Sequence, residues 1–187
     1  MELKYPQIAK SVPEIIDRVR YSPLASYLFK GPITDLTGIV CEGSRKLGGI
    51  EVFSNRGSGT QGNFYTEEDV GGIKLTISHS PIATIEGYLK IPPLFRATAE
   101  GTLYHLLIYA HQWARGEPVE ELEGRANPDS ETYIDSRLVQ EALRGQICYL
   151  ASKFPGEADT ILRSSSPGNK RLQDFITKEL KRIRDAA

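Results

Sequence analysis

The stretch GIEVFSNRGSGTQGNFYTEEDVGGIKLTISH, residues 49–79, decides the fold class of this chain. Short runs rich in β-branched and aromatic residues alternate in it with glycine-rich or charged turns, a pattern typical of antiparallel strands. Similar runs, GIVCE and ATIEGYLKI, lie on either side of it. Together the runs predict a five-stranded antiparallel meander over residues 37–91. Pro92 and Pro93 are expected to end it with an extended kink, because proline cannot donate to a strand ladder.

Helical patterns flank the predicted sheet on both sides. Ser11 and Glu14 have the spacing of a capping box, which predicts N-terminal helices within residues 1–36. Apolar residues recur at helical spacing through residues 97–187. The order helices, strands, helices predicts a single α+β domain over residues 1–187, in which a C-terminal helical layer packs on the sheet.

The helical portion contains one stretch that does not read as helix. Residues 116–130 are acidic and rich in turn-forming residues, so we expect an exposed loop there. The helix before it, residues 97–115, is apolar around most of its circumference, which predicts a central buried helix. Its flanks carry Tyr104, Ile108 and Tyr109, which either pack under the C-terminal helices or form a homodimer contact. We favour packing, because two long amphipathic helices follow and need an apolar surface.

Composition excludes several classes of function. The formal net charge is -1, so the chain offers no overall positive field and nucleic-acid binding is not favoured. Cys41 and Cys148 lie among apolar residues, as core side chains do, and favour a reduced, cytoplasmic setting. The chain has neither a secretory leader nor an apolar run long enough for a membrane span, so we expect no membrane association.

The glycine loop after residue 55 carries the strongest chemical signature. Gly57, Gly59 and Gly62 have the spacing G-x-G-x-x-G of phosphate-binding loops. In dinucleotide-binding proteins this loop leads into a helix, whereas here it leads into a strand. The loop and Lys74 resemble the glycine loop and following lysine of protein kinases, but no H-R-D or D-F-G motif follows. We therefore favour a wide hairpin turn, with a phosphate-binding role as the second interpretation.

The meander supplies the first candidate site. Alternate loops of a meander lie at the same end of a sheet, so the glycine loop and the turn after residue 78 are expected to be neighbours. Their polar side chains would then form one cluster that suits an anionic ligand. The predicted ligand-binding residues are Arg56, Gly57, Gly59, Gln61, His79 and Ser80.

A second candidate anion site lies before the last helix. Ser166 is expected to cap this helix and Pro167 to occupy its first turn, which would expose backbone donors. Arg163, Lys170 and Arg171 surround that helix start. Basic residues there oppose the helix dipole, so a bound anion or a carboxylate partner would have to compensate them.

No complete catalytic or metal-binding set is readable. His105 and His111 are six residues apart on a helix, so they face different directions and cannot share an ion. Each is expected to be satisfied by a neighbour or by solvent, and we expect no metal or cofactor.

Three functions remain open. The leading hypothesis is a cytoplasmic binding or accessory module that recognises a phosphate-bearing or otherwise anionic small ligand. The alternative is a metal-independent hydrolase or transferase that uses His79 as its general base. The third is an obligate subunit of a protein complex.

Overall fold

The computed structural model describes residues 3–4, 45–55, 60–67, 70–78, 90–122 and 127–186. The predicted N-terminal helices and the predicted strand GIVCE, which contains Cys41, lie outside the described residues. So does the predicted strand ATIEGYLKI, apart from its last two residues.

The described strands form one mixed sheet. They are β1 (Leu3–Lys4), β2 (Lys46–Asn55), β3 (Gln61–Glu67) and β4 (Val70–Ser78). The sheet is four-stranded, in the order β1-β2-β4-β3. β3 and β4 form an antiparallel hairpin, whereas β2 pairs with β4 in parallel. The predicted five-stranded antiparallel meander is therefore wrong.

The apolar pattern of β4 explains its central place. Ile73, Leu75 and Ile77 alternate along β4, and all three are buried against the helical layer. β3 instead exposes Gln61 and Asn63, so it loses little by lying beside β4 alone among the described strands. Strands two positions apart are separated by about 10 Å, which the connection 56–60 is long enough to span. Consecutive strands in this sequence therefore need not be neighbours.

Four helices follow the sheet within the described residues: α1 (Pro93–Ala114), α2 (Arg137–Lys153), α3 (Ala158–Ser164) and α4 (Lys170–Ala186). Short 3-10 turns at Val119–Leu122 and Tyr133–Asp135 lie between α1 and α2. The chain is thus α+β, as predicted. Among the helices that the structure describes, none is long and apolar enough to cross a membrane.

The ends of α1 follow from proline and glycine chemistry. The helix begins at Pro93, where the missing N–H costs nothing because the first turn has no acceptor for it. Pro92, with φ -52° and ψ 142°, is extended as expected, but the helix already begins at Pro93 and not at the predicted residue 97. The helix stops at Ala114, and Gly116 then adopts a positive φ of 81°, which glycine accepts without strain.

α1 is the centre of the described fold. It packs on β3 and β4 with one face and on α2 with another. Tyr104, Ile108 and Tyr109 are all buried within the single chain, at 0%, 2% and 7% exposure. The prediction that these flanks belong to the core is confirmed. Cys148 of α2 is likewise a buried core side chain, and burial raises the pKa of its thiol.

The start of α4 differs from the prediction. Asn169, not Ser166, caps the helix, because the Asn169 Oδ1 accepts a hydrogen bond from the Leu172 backbone N–H at 3.1 Å. Pro167 therefore precedes the helix instead of occupying its first turn. Ser166 is buried, and its hydroxyl donates to the Ser165 carbonyl.

The capping residue also ties α4 to the chain before α2. Asn169 is 3% exposed, and its Nδ2 donates to the Pro128 and Ser130 carbonyls, at 2.8 Å each. We expect Asn169→Ala to lower the free energy of unfolding by about 2 kcal/mol, since it removes the cap and orphans two carbonyls. Urea unfolding followed by circular dichroism measures this loss.

A matched control is Asn127→Ala. The Asn127 side chain also accepts a backbone hydrogen bond, from Asp129, but in an exposed turn. We expect that variant to lose less than about 1 kcal/mol. Equal losses in the two variants would contradict the anchoring role of Asn169.

Candidate functional site

A cavity of about 1190 Å³ opens between β3, α1 and the C-terminal helices. We call it the cleft. Its described lining includes residues 60–66, Lys74, one face of α1, the turn Val119–Leu122 and side chains from α2, α3 and α4. Small-molecule sites usually measure about 300–1,000 Å³, so the cleft has room for a whole small ligand.

One face of α1 gives the cleft its polar floor. Thr98, Thr102, His105 and Tyr109 all line the cleft. Their spacing of four, three and four residues places them on one side of the helix. We call these four residues the polar stripe. The rest of the helix is largely apolar and buried, so the stripe is the side of α1 able to form hydrogen bonds with a ligand.

His105 is held by Gln146 of α2. The Nδ1 of His105 lies 3.0 Å from the Gln146 Oε1. Because a carbonyl oxygen only accepts, Nδ1 carries the proton and Nε2 is left as an acceptor in the neutral ring. Burial lowers the pKa of His105 to about 4, against the opposing effect of the Gln146 hydrogen bond. The imidazole is therefore neutral at physiological pH.

Tyr109 lies one turn further along the stripe. Its ring meets His105 edge to face, with centroids 4.7 Å apart and an interplanar angle of 90°. Its hydroxyl is buried and has no hydrogen-bond partner among the described residues. Burial raises the pKa of Tyr109 and that of the nearby Tyr133, the latter to about 12. The nearby Tyr133 phenol adds to the raised pKa of Tyr109 through its charge and through a loose side-chain hydrogen bond, although neither it nor another described group reaches full hydrogen-bonding geometry with the Tyr109 hydroxyl. Both phenols stay protonated at neutral pH.

The wall opposite the helices is the β3 strand. Its alternation places Gln61, Asn63 and Tyr65 on the sheet face that points away from α1, and Asn63 pairs directly with Lys74. Tyr65 covers Gly72, where a Cβ would come within 2.3 Å of the ring. A side chain at position 72 would therefore displace the end of the Tyr65 side chain. Lys74 thus stands among polar neighbours at the edge of the cleft.

The charge of the lining is one-sided. The chain has 24 Asp and Glu residues. None of them is among the lining residues that the structure describes, whereas Lys74 contributes a positive charge. The other polar lining groups are neutral amides, hydroxyls and one neutral imidazole. A negatively charged ligand therefore meets no described carboxylate in the cleft.

The first predicted site falls only partly on the described residues. Gln61 lies at the cleft and is exposed. The other members, Arg56, Gly57, Gly59, His79 and Ser80, lie outside the described residues.

The strands that lead to and from these undescribed residues have their ends at the same end of the sheet. Asn55 pairs with Ser78 and Gln61 pairs with Thr76. The ends of β2 and β4 and the start of β3 therefore lie at one end of the sheet. The clustering of the first site itself stays a prediction.

Both arginines of the second predicted site have carboxylate partners. The Arg163 Nε lies 2.9 Å from the Asp159 carboxylate, and the Arg171 Nη2 lies 2.5 Å from that of Asp135. Lys170 is exposed. Of the two compensations expected for this basic helix start, the structure supplies the carboxylates. Anion binding at this end of α4 stays a prediction.

Sequence reasoning did not identify the cleft. His105 was expected to be satisfied by a neighbour or by solvent, and the neighbour is Gln146. The missed signal was the spacing of the polar stripe in a helix that is otherwise mostly apolar. Within the described part of the chain, no three His, Cys, Asp or Glu side chains are grouped so that they could hold a metal ion.

Comparison with protein families, curated proteins and solved structures finds no match for this chain.

Proposed function

We propose that the chain is a binding or accessory module that holds a small organic anion in the cleft. The observation that carries this proposal is a cavity of about 1190 Å³ whose described lining includes Lys74 and no carboxylate. A phosphate or carboxylate group of the ligand lies near Lys74 and Gln61, at the polar edge of β3. The remainder of the ligand extends around the edge of β3 to the polar stripe on α1.

Charge and burial together support this arrangement. Two opposite unit charges about 4 Å apart attract by about 4 kcal/mol at an effective dielectric constant near 20, so one lysine can orient an anion. Apolar lining residues such as Phe64, Leu106 and Leu143 favour an organic body over an inorganic ion. The proposed ligand therefore joins an anionic end to a carbon skeleton.

A cytoplasmic location is part of the proposal. Two cysteines in 187 residues are too few for a disulfide framework, and one of them, Cys148, is a buried thiol. This usage fits a reducing compartment.

The intrinsic fluorescence of the protein offers a direct test. Trp113 is the single tryptophan, and its ring meets Phe64, a lining residue, at a centroid distance of 5.7 Å. We expect fluorescence titration and thermal shift to detect at least one binder in a panel of nucleotides, sugar phosphates and organic carboxylates. Inorganic phosphate should bind far more weakly than the organic members.

Substitution of the lysine tests the placement of the anion. We expect Lys74→Gln to weaken binding of that ligand about tenfold or more, the effect of losing about 1.4 kcal/mol of attraction. Lys153→Gln, at the exposed end of α2, is the matched control and should bind normally. Silence across the whole panel, or equal affinities of the two variants, would overturn the proposal.

A further inference from the structure

We propose that His105 and Tyr109 recognise an amide group of the ligand: a ligand N–H donates to the His105 Nε2, and a ligand carbonyl accepts from the Tyr109 hydroxyl. This inference rests on the proposed function and narrows its ligand to an organic anion that carries an amide.

The acceptor half of this pair is His105. The His105 Nδ1–H donates to Gln146, so Nε2 presents a lone pair. Nε2 has no hydrogen-bond partner among the described residues. The ring lines the cleft. A ligand group that bonds to Nε2 must therefore be a donor.

The donor half is Tyr109. Its side chain is 7% exposed and lines the cleft, and its hydroxyl lacks a hydrogen-bond partner within the described part of the chain. A buried hydroxyl without a partner destabilises the folded protein, because it has given up water without replacement. A ligand carbonyl would restore the missing hydrogen bond. The empty position therefore favours a ligand acceptor.

The two halves lie side by side. His105 and Tyr109 are four residues apart on one face of α1, with ring centroids 4.7 Å apart. One compact group that both donates and accepts can serve such a pair, and the amide is the commonest small group that does both without carrying charge. A neutral group also suits this stretch of the cleft, since its imidazole and phenols are uncharged at neutral pH.

The test uses two probes that differ in one group. Hippurate carries an amide N–H between its carbonyl and its carboxylate, and 3-benzoylpropionate has a methylene in place of that N–H. A second amide-bearing anion, uridine 5′-monophosphate, covers a larger skeleton. Isothermal titration of the full chain measures each dissociation constant. We expect at least one amide-bearing anion to bind, and hippurate to bind about tenfold more tightly than 3-benzoylpropionate.

Two tyrosine variants separate recognition from stability. Tyr109→Phe removes the donor and should weaken binding of the amide-bearing anion about tenfold, with the melting temperature unchanged or raised. Tyr104→Phe is the matched control, because the Tyr104 hydroxyl is also buried without a partner among the described residues but does not line the cleft. It should bind normally.

Each other outcome overturns the inference. Equal binding of hippurate and 3-benzoylpropionate, with both sensitive to Lys74→Gln, would remove the amide and leave the proposed anion site standing. Normal binding by Tyr109→Phe would remove the role of its hydroxyl. Failure of every amide-bearing probe would reject the inference, and failure of every anion tested would reject the proposed function with it.

Discussion

Replacing Trp113 with alanine is expected to lower the free energy of unfolding by about 3–5 kcal/mol. Trp113 is 1% exposed and lies where α1 crosses the sheet. Its ring meets Phe64 at an interplanar angle of 65°, and the Arg45 guanidinium lies 5.1 Å from the ring centroid. The backbone at Gly71 approaches so closely that a Cβ there would come within 2.8 Å of the indole. Alanine would leave a void that three neighbours cannot fill.

Circular dichroism in a urea series measures this loss, since Trp113→Ala also removes the fluorescence signal. Trp113→Phe is the matched control and should lose less, because a phenyl ring keeps much of the contact with Phe64. A loss below about 1 kcal/mol for the alanine variant would show that α1 and the sheet do not depend on this contact.

The second large expected effect is that the free energy of unfolding falls at acidic pH because of the titration of His105. Burial lowers its pKa from 6.5 to about 4, so the unfolded chain binds a proton more readily than the folded one. The contribution of neutral His105 to the free energy of unfolding is fully present above pH 6.5 and is lost as the pH falls towards 4. A difference of roughly 2.5 pH units corresponds to about 3 kcal/mol. Protonation of His105 thus opposes folding over this range.

The variant His105→Asn isolates this effect from the titration of the acidic residues. The Asn Nδ2 can still donate to Gln146, but the side chain does not titrate in this range. Unfolding free energies at pH 7 and pH 4 give the acid-induced loss for each protein. We expect the loss to be larger in the unmodified chain, by an amount approaching 3 kcal/mol. Parallel pH dependence in the two proteins would contradict the buried, neutral state of His105.

The helices were predictable because their signals are local. The long apolar patterns of α1, α2 and α4 identify each helix without knowledge of its neighbours. The order of strands in the sheet was not predictable, because apolar alternation shows which face of a strand is buried but not which strand lies beside it. β2 and β4 pair across the whole of β3 in the sequence. That pairing depends on the burial of β4, a property of the folded chain.

The cleft and the helix cap were missed for the same reason. Gln146 is 41 residues from His105, and no local pattern links them. Ser166 and Asn169 are both good capping residues, so the sequence around them does not decide between the two. The Pro128 and Ser130 carbonyls decide it, since they hold Asn169 in place from 41 and 39 residues away.

The anchoring of Asn169 has a consequence for how the cleft tolerates change. Asn127 and Pro128 line the cleft, and Asn169 at the head of α4 holds the Pro128 carbonyl. The start of the C-terminal helix therefore holds the rim of the cleft in place. An insertion between α3 and α4 would break this contact without changing the polar stripe. The spacing of those two helices is a structural requirement of the cleft, although Ser165, Pro167 and Gly168 in the connection between them are exposed.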